Sequence, residues 1–199
     1  MPYERKKPHG VRNALIAIVI VVIVLITLIE VASQINQDAS APDGAKILLM
    51  TSMGNITIQL YNDMHITSGN FLNLTEHGIY DETLFSRVAK GFVIQGGDAT
   101  PKGIIVPPIK DELPNKHSNV QGSVAMAKTS EPNSATSQFF INLADNSAAL
   151  DSTYVVFGKV IAGWDTVVKI SQVPITPVLS STDGKPVQNI TITKAIVVG

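Results

Sequence analysis

Arginine is scarce in this chain of 199 residues. Arg5 and Arg12 sit close to the N-terminus, which leaves Arg87, in the stretch LFSRVAKGFVIQGGD, as the only arginine in the rest of the protein. A permanent cation held among aromatic and aliphatic side chains must find either an acidic partner or a ligand. A structural salt bridge would satisfy it without function; a polar group on a substrate would satisfy it with one. Period-two alternation places Phe85 and Arg87 on one face of a first strand, with Phe92 and Gln95 on the strand that follows. Competing chemistries find little support. There is no cysteine, which excludes disulfides, thiol nucleophiles and Cys-based zinc or iron–sulfur centres. His9, His65, His77 and His117 show no metal-ligand spacing and suit surface or packing roles, so no metal is expected. Ser137 and the other hydroxyls lack a nucleophile-elbow motif, which disfavours a hydrolase. A formal net charge of −1 provides no global field for nucleic acid, and a nucleic-acid partner is not expected.

The elements that would position Arg87 are short and β-rich. Lys46–Thr51 and Ile56–Tyr61 flank Ser52-Met53-Gly54-Asn55, a hairpin turn by composition. Further strands are predicted at Leu84–Val88, Phe92–Gln95, Ser123–Ala127, Gln138–Asn142, Val155–Val160 and Ile190–Val198. Helical periodicity appears at Thr67–His77, through Phe71, Leu72 and Leu74, and at Trp164–Ser171, through Val167, Val168 and Ile170. Many short strands with few helices argue for a closed β-barrel, because closure removes exposed edges.

The N-terminal part is unlike the rest. Ala14 to Ile29 reads ALIAIVIVVIVLITLI, sixteen positions of which thirteen are Leu, Ile or Val. As a helix this run spans roughly 24 Å, and roughly 28 Å when extended to Ala32, against a hydrocarbon core of about 30 Å. Arg5, Lys6, Lys7 and Arg12 precede it, whereas the chain beyond Glu30 carries a net negative charge. The positive-inside rule then sets residues 1–13 as a cytoplasmic tail, 14–32 as a single-pass transmembrane anchor, 33–44 as a polar linker and 45–199 as a domain outside the cell membrane. The alternative is a signal peptide cut near Val31-Ala32-Ser33 or at Ala39-Ser40-Ala41, which would release a secreted domain. Asn55, Asn73 and Asn189 each begin an N-x-Thr sequon that an exported domain exposes to glycosylation.

Three stretches carry a family resemblance. FSRVAKGFVIQGGD, GSVAMAKTSEPNSATSQFFINLADN and LDSTYVVFGKVIAGWDTV resemble, in order, the cyclophilin-type peptidyl-prolyl cis–trans isomerases. PPIKDE and NSATSQFFIN look like the bacterial single-domain branch. The resemblance runs from about Lys46 to Val198. It implies a mainly β fold, a closed eight-stranded antiparallel β-barrel capped by two α-helices, here preceded by one N-terminal transmembrane helix.

The reaction so implied is rotation about Xaa-Pro bonds, opposed by amide resonance with a barrier of about 18–20 kcal/mol. In the twisted transition state the nitrogen recovers its lone pair and accepts a hydrogen bond. A guanidinium aimed at that nitrogen binds the twisted state better than either planar isomer. An apolar pocket helps, because the planar amide is the more dipolar form. No cofactor, metal or covalent step is required. By motif, the resemblance implies catalytic roles for Arg87, Phe92 and Gln95. It implies substrate contacts from Val93, Ala127, the Lys128 backbone, Gln138, Phe140, Leu150 and Tyr154.

The chain also departs from the family pattern. Tyr154 stands where many eukaryotic members carry a histidine. Ala149 stands where a tryptophan or phenylalanine usually precedes Leu-Asp; that ring commonly contributes to cyclosporin binding, so weak cyclosporin binding at most is expected. The glycine-rich segment after QGGD is replaced by ATPKGIIVPP, and Trp164 is expected to pack at the start of its helix. The expected function is isomerisation of Xaa-Pro bonds in exported or surface proteins, the partners being proline-containing polypeptide clients and the membrane. The alternatives are a non-catalytic proline-peptide binding module, a membrane-tethered holdase, or an anchored structural or adhesion domain in which Arg87 serves only a salt bridge.

Overall fold

A computed structural model describes residues 44–198. The expected tail and anchor, and all of the linker but Gly44, lie outside them. Among the described residues no helix is long and apolar enough to cross a membrane.

Ten antiparallel strands form one sheet: β1 (Lys46–Thr51), β2 (Gly54–Leu60), β3 (Thr83–Ala89), β4 (Val93–Gly96), β5 (Ser123–Met126), β6 (Phe139–Asn142), β7 (Val156–Ala162), β8 (Ile175–Ser180), β9 (Asp183–Pro186) and β10 (Thr191–Val197). The order is β10-β1-β2-β7-β5-β6-β4-β3-β9-β8. A further pairing of β10 with β3, Thr191 opposite Leu84 and Ile192 opposite Thr83, closes the first eight into a barrel. Three helices accompany it: α1 (His65–Glu76), α2 (Ser147–Leu150) and α3 (Trp164–Ser171).

The expected strands and both expected helices are present with ends shifted by a few residues. Alternation sets the first hairpin: Ile47 lies opposite Ile58 and Leu49 opposite Ile56, all four fully buried. α1 lays Phe71 into the barrel, where it meets Tyr80, Phe139 and Phe157 at ring separations of 4.8, 5.3 and 4.9 Å. The first turn of α1 is satisfied from afar, since the Glu112 carboxylate accepts from the Ile66 and Thr67 backbone N–H groups and from the Thr67 hydroxyl. Trp164 opens α3 and packs against the main core, as its position suggests.

Besides the short helix α2, which the sequence reading does not include, two features depart from it. The hairpin β8–β9 was not anticipated. Pro174, Pro177 and Pro186 argue against a strand, and β8 has no inward face to generate alternation. Its proline is tolerated because β8 is the last strand of the sheet, where a missing N–H leaves no ladder bond unmade. The second departure concerns faces. Phe85 and Arg87 do not share one: the β3–β4 register shifts between them, a bulge that inserts one residue. Phe85 and Val88 point into the barrel core, and Arg87 and Ala89 point out of it.

Candidate active site

The bulge creates the site. Beyond it, residues directly opposite one another form a transverse row on the outer face of the barrel. Arg87 of β3 faces Gln95 of β4, Gln95 faces Phe140 of β6, Phe140 faces Ala125 of β5, and Ala125 faces Val156 of β7. Opposed residues project to the same side of a sheet. The row is therefore polar at one end and apolar at the other.

The apolar end is a cluster separate from the barrel core. Ala89, Val93, Ala125, Ala127, Phe140, Leu150 and Val156 form it, with Phe92, Tyr61 and Tyr154 packed against it. Of the expected pocket residues, Val93, Ala127, Phe140 and Leu150 are members, and Phe92 and Tyr154 border it. Tyr154 meets Phe140 edge-on at 5.6 Å, and its loop is tied down by Asn115 and Asn119 donating to the Tyr154 carbonyl. Leu150 is delivered by α2, a helix the sequence reading did not include, and Ala149 beside it is exposed.

The polar end is a chain of hydrogen bonds. Arg87 Nη1 donates to Gln95 Oε1 at 3.2 Å, and Gln95 Nε2 donates to Gln138 Oε1 at 2.9 Å. On its other edge Arg87 donates from Nε at 2.9 Å and from Nη2 at 2.7 Å to the two carboxylate oxygens of Asp183. The guanidinium has five N–H groups, so three are engaged and two, one on each Nη, have no partner among the described residues. The Arg87 side chain is 33% exposed and Asp183 15%. The hydrogen-bonded carboxylate holds Arg87 above its ordinary pKa against the opposing effect of burial, with Tyr154 acting in the same direction as Asp183. Arg87 in turn holds Asp183 below the usual carboxylate range. Of the two sequence readings of Arg87, the salt bridge is present, and two of its donors are left without a partner among the described residues.

Lys128 plays a part through its neighbours. Its side chain is buried in a 2.6 Å ion pair with Asp111, which also accepts from the Asn133 N–H, so the segment after β5 is clipped to the loop before it. The substituted ATPKGIIVPP stretch forms a 3-10 turn at Thr100–Lys102, held by Lys102 donating to the Ile79 and Asp81 carbonyls, and leaves Ile105 93% exposed. His117 bonds Asp63 at 2.9 Å and stacks on Tyr61 at the border of the apolar cluster, and His77 contacts the Asn73 carbonyl.

Asp183 is the residue that sequence reasoning missed. Its one signal was indirect, since a lone half-buried arginine calls for an acid, but nothing in the sequence says which of the acids reaches it.

Comparison with known proteins agrees with this geometry. The family model described as cyclophilin type peptidyl-prolyl cis-trans isomerase/CLD matches residues 46–197. A peptidyl-prolyl cis-trans isomerase of Acinetobacter baylyi is 44% identical over 144 residues, covering 68% of this chain and 77% of that protein. Peptidyl-prolyl cis-trans isomerase B of Escherichia coli is 41% identical over 134 residues, 62% of this chain and 82% of that protein. A cyclophilin type isomerase of Cryptosporidium parvum, solved in the presence of the dipeptide Ala-Pro, superposes with a TM-score of 0.68 at 30% identity, covering 77% of this chain and 99% of that one. A closed barrel with an arginine beside an outer apolar cluster, and relatives of this identity and coverage, lead to one conclusion: the chain belongs to the cyclophilin-type peptidyl-prolyl cis–trans isomerases and catalyses rotation about Xaa-Pro peptide bonds.

Proposed function

We propose that the outer cluster receives the proline ring and that Arg87 acts on the prolyl nitrogen, with two N–H groups that have no partner among the described residues. The observation that carries this reading is the transverse row, which sets a cation at one end of an apolar surface and at no other point of it. The planar amide gives up solvation on entering such a surface, and the twisted amide gains a hydrogen bond to its nitrogen. Each 1.36 kcal/mol of that difference corresponds to about tenfold in rate. Gln95, fixed between Arg87 and Gln138, either binds a substrate carbonyl or steadies the cation. Phe92, Val93, Phe140, Leu150 and Tyr154 enclose the ring, and Ala127 with the Lys128 backbone meets the residues before proline. Titration with an Ala-Pro peptide tests this placement. The backbone amide resonances of Val93, Ala127 and Leu150 should move, whereas those around the separate cavity lined by Met53, Val173, Pro174 and Val187 should not. Shifts confined to that second cavity would put the proline elsewhere.

Ala149 presents no ring beside Leu150, which supports weak cyclosporin binding at most. We further infer that the enzyme works outside the cell membrane on exported or surface proteins, held by residues 14–32 with its N-terminus in the cytoplasm. The support is the length of the apolar run and the basic residues before it. Protease added to intact cells should remove the barrel domain and leave a short membrane-bound stub. A domain shielded until the cells are opened would contradict the orientation, and a shortened domain in the medium would show that the N-terminal segment is cleaved.

A further inference from the structure

The acid that holds Arg87 is itself held by the backbone. Asp183 opens β9, and β9 pairs with the second half of β3, Ala89 opposite Asp183 and Val88 opposite Gly184. The Lys90 N–H donates to the Thr182 carbonyl at 2.8 Å and extends this attachment by one bond. Gly184 lets the hairpin close, because a Cβ there would lie 2.1 Å from the Thr176 carbonyl oxygen on β8. The hairpin is therefore seated on the strand that carries Arg87, two residues from it in register. Its carboxylate, 15% exposed, is less exposed than the guanidinium it binds. A flexible pair of surface charges contributes little, but here the carboxylate is set by a ladder and the contact is the planar two-point fork that fits only arginine.

The consequence for Arg87 is orientational. Its Nε and one Nη2 hydrogen point to β9, and one Nη1 hydrogen points to Gln95 on β4. Two contacts on different edges of one rigid plane leave the guanidinium a single orientation. An arginine without them would give up its rotamer freedom only when substrate arrives. The carboxylate also weakens the field of the cation. The prolyl nitrogen, however, has one lone pair and needs a donor at one place, so direction outweighs net charge.

We propose that Asp183 is a positioning residue for isomerisation: the β8–β9 hairpin uses it to fix the plane of the Arg87 guanidinium so that its two remaining N–H groups serve the twisted amide. This rests on the reading that Arg87 acts on the prolyl nitrogen.

The test is a double-mutant cycle on the full chain in detergent micelles. Catalysed exchange of an Xaa-Pro peptide is followed by NMR at saturating peptide, with the peptide Kd taken from the same titration. Asp183→Ala should lower the exchange rate by about tenfold with Kd changed less than about twofold. In an Arg87→Ala background the same substitution should change the rate by less than about twofold, since nothing remains to position. The isosteric Asp183→Asn, which keeps one acceptor but turns an N–H₂ toward the other of Nε and Nη2, covers the case in which the alanine variant fails to fold. It should lower the rate and displace the Arg87 Nε–H resonance. An undiminished rate in Asp183→Ala or Asp183→Asn, or an equal loss with and without Arg87, would overturn the proposal. Full activity in Arg87→Ala alone would be a different result, the failure of the underlying reading of Arg87.

Discussion

Arg87→Ala is expected to lower catalysed Xaa-Pro exchange by about 10²–10³-fold, the range seen when a single preorganised transition-state donor is removed from an active site. The fold should tolerate the change, because Arg87 lies outside the barrel core and is one-third exposed. Asp183 would lose its partner at the edge of the domain, where water can replace it. Arg87→Lys is the sharper variant. An ammonium keeps the charge, but with one N–H to Asp183 and one to Gln95 it has at most one left, and a point charge cannot reproduce the planar two-point fork to Asp183. It should lose most of what alanine loses. A lysine variant with near-normal exchange would mean that charge alone suffices, and the hydrogen-bond argument would fail. NMR exchange spectroscopy at catalytic concentrations of the full-length protein measures both variants.

Phe71→Ala should be the costliest change to stability. The ring is fully buried and touches three other aromatic rings, each from a different part of the chain: Tyr80 after α1, Phe139 of β6 and Phe157 of β7. Truncation leaves a cavity among rigid neighbours, and such substitutions cost about 3–5 kcal/mol. Typical domains have only about 5–15 kcal/mol in total. Equilibrium urea unfolding should show that loss as a lower midpoint. Activity per folded molecule should stay close to normal, because Phe71 belongs to the inner core and the proposed proline surface is the separate outer cluster. A stability loss under about 1 kcal/mol would mean that α1 does not lay Phe71 into the barrel as described.

Much of this fold was legible because the barrel writes its period into the sequence. Ile47 and Leu49, then Ile56, Ile58 and Leu60, are buried in alternation with residues that are not, and α1 shows Phe71, Leu72 and Leu74 where a helix must bury them. The outer cluster was legible only through motif resemblance, since Val93 and Phe140 look like barrel core when read singly. Four things were hidden, each for a physical reason. A bulge between Phe85 and Arg87 breaks the period it would have to be read from, and so the faces of those two residues were misassigned. Strand β8 is almost wholly exposed, β9 is only four residues long, and the hairpin carries prolines, so neither alternation nor propensity marks it. Asp183 reaches Arg87 across 96 residues of sequence, a contact created by the topology of the sheet rather than by any local pattern. The short helix α2 leaves too few residues to show a period.

The central claim is that Arg87 stabilises the twisted amide rather than the bound peptide. One titration tests it most directly: two-dimensional NMR exchange on an Xaa-Pro peptide with the full chain, yielding both the cis–trans interconversion rate on the protein and the Kd of each isomer, for the unsubstituted protein and for Arg87→Ala. The account predicts that the on-protein rate falls by about the full 10²–10³-fold while both Kd values stay within about twofold. An on-protein rate that stays unchanged, with Kd values raised by the whole factor, would contradict it and make Arg87 a binding residue only.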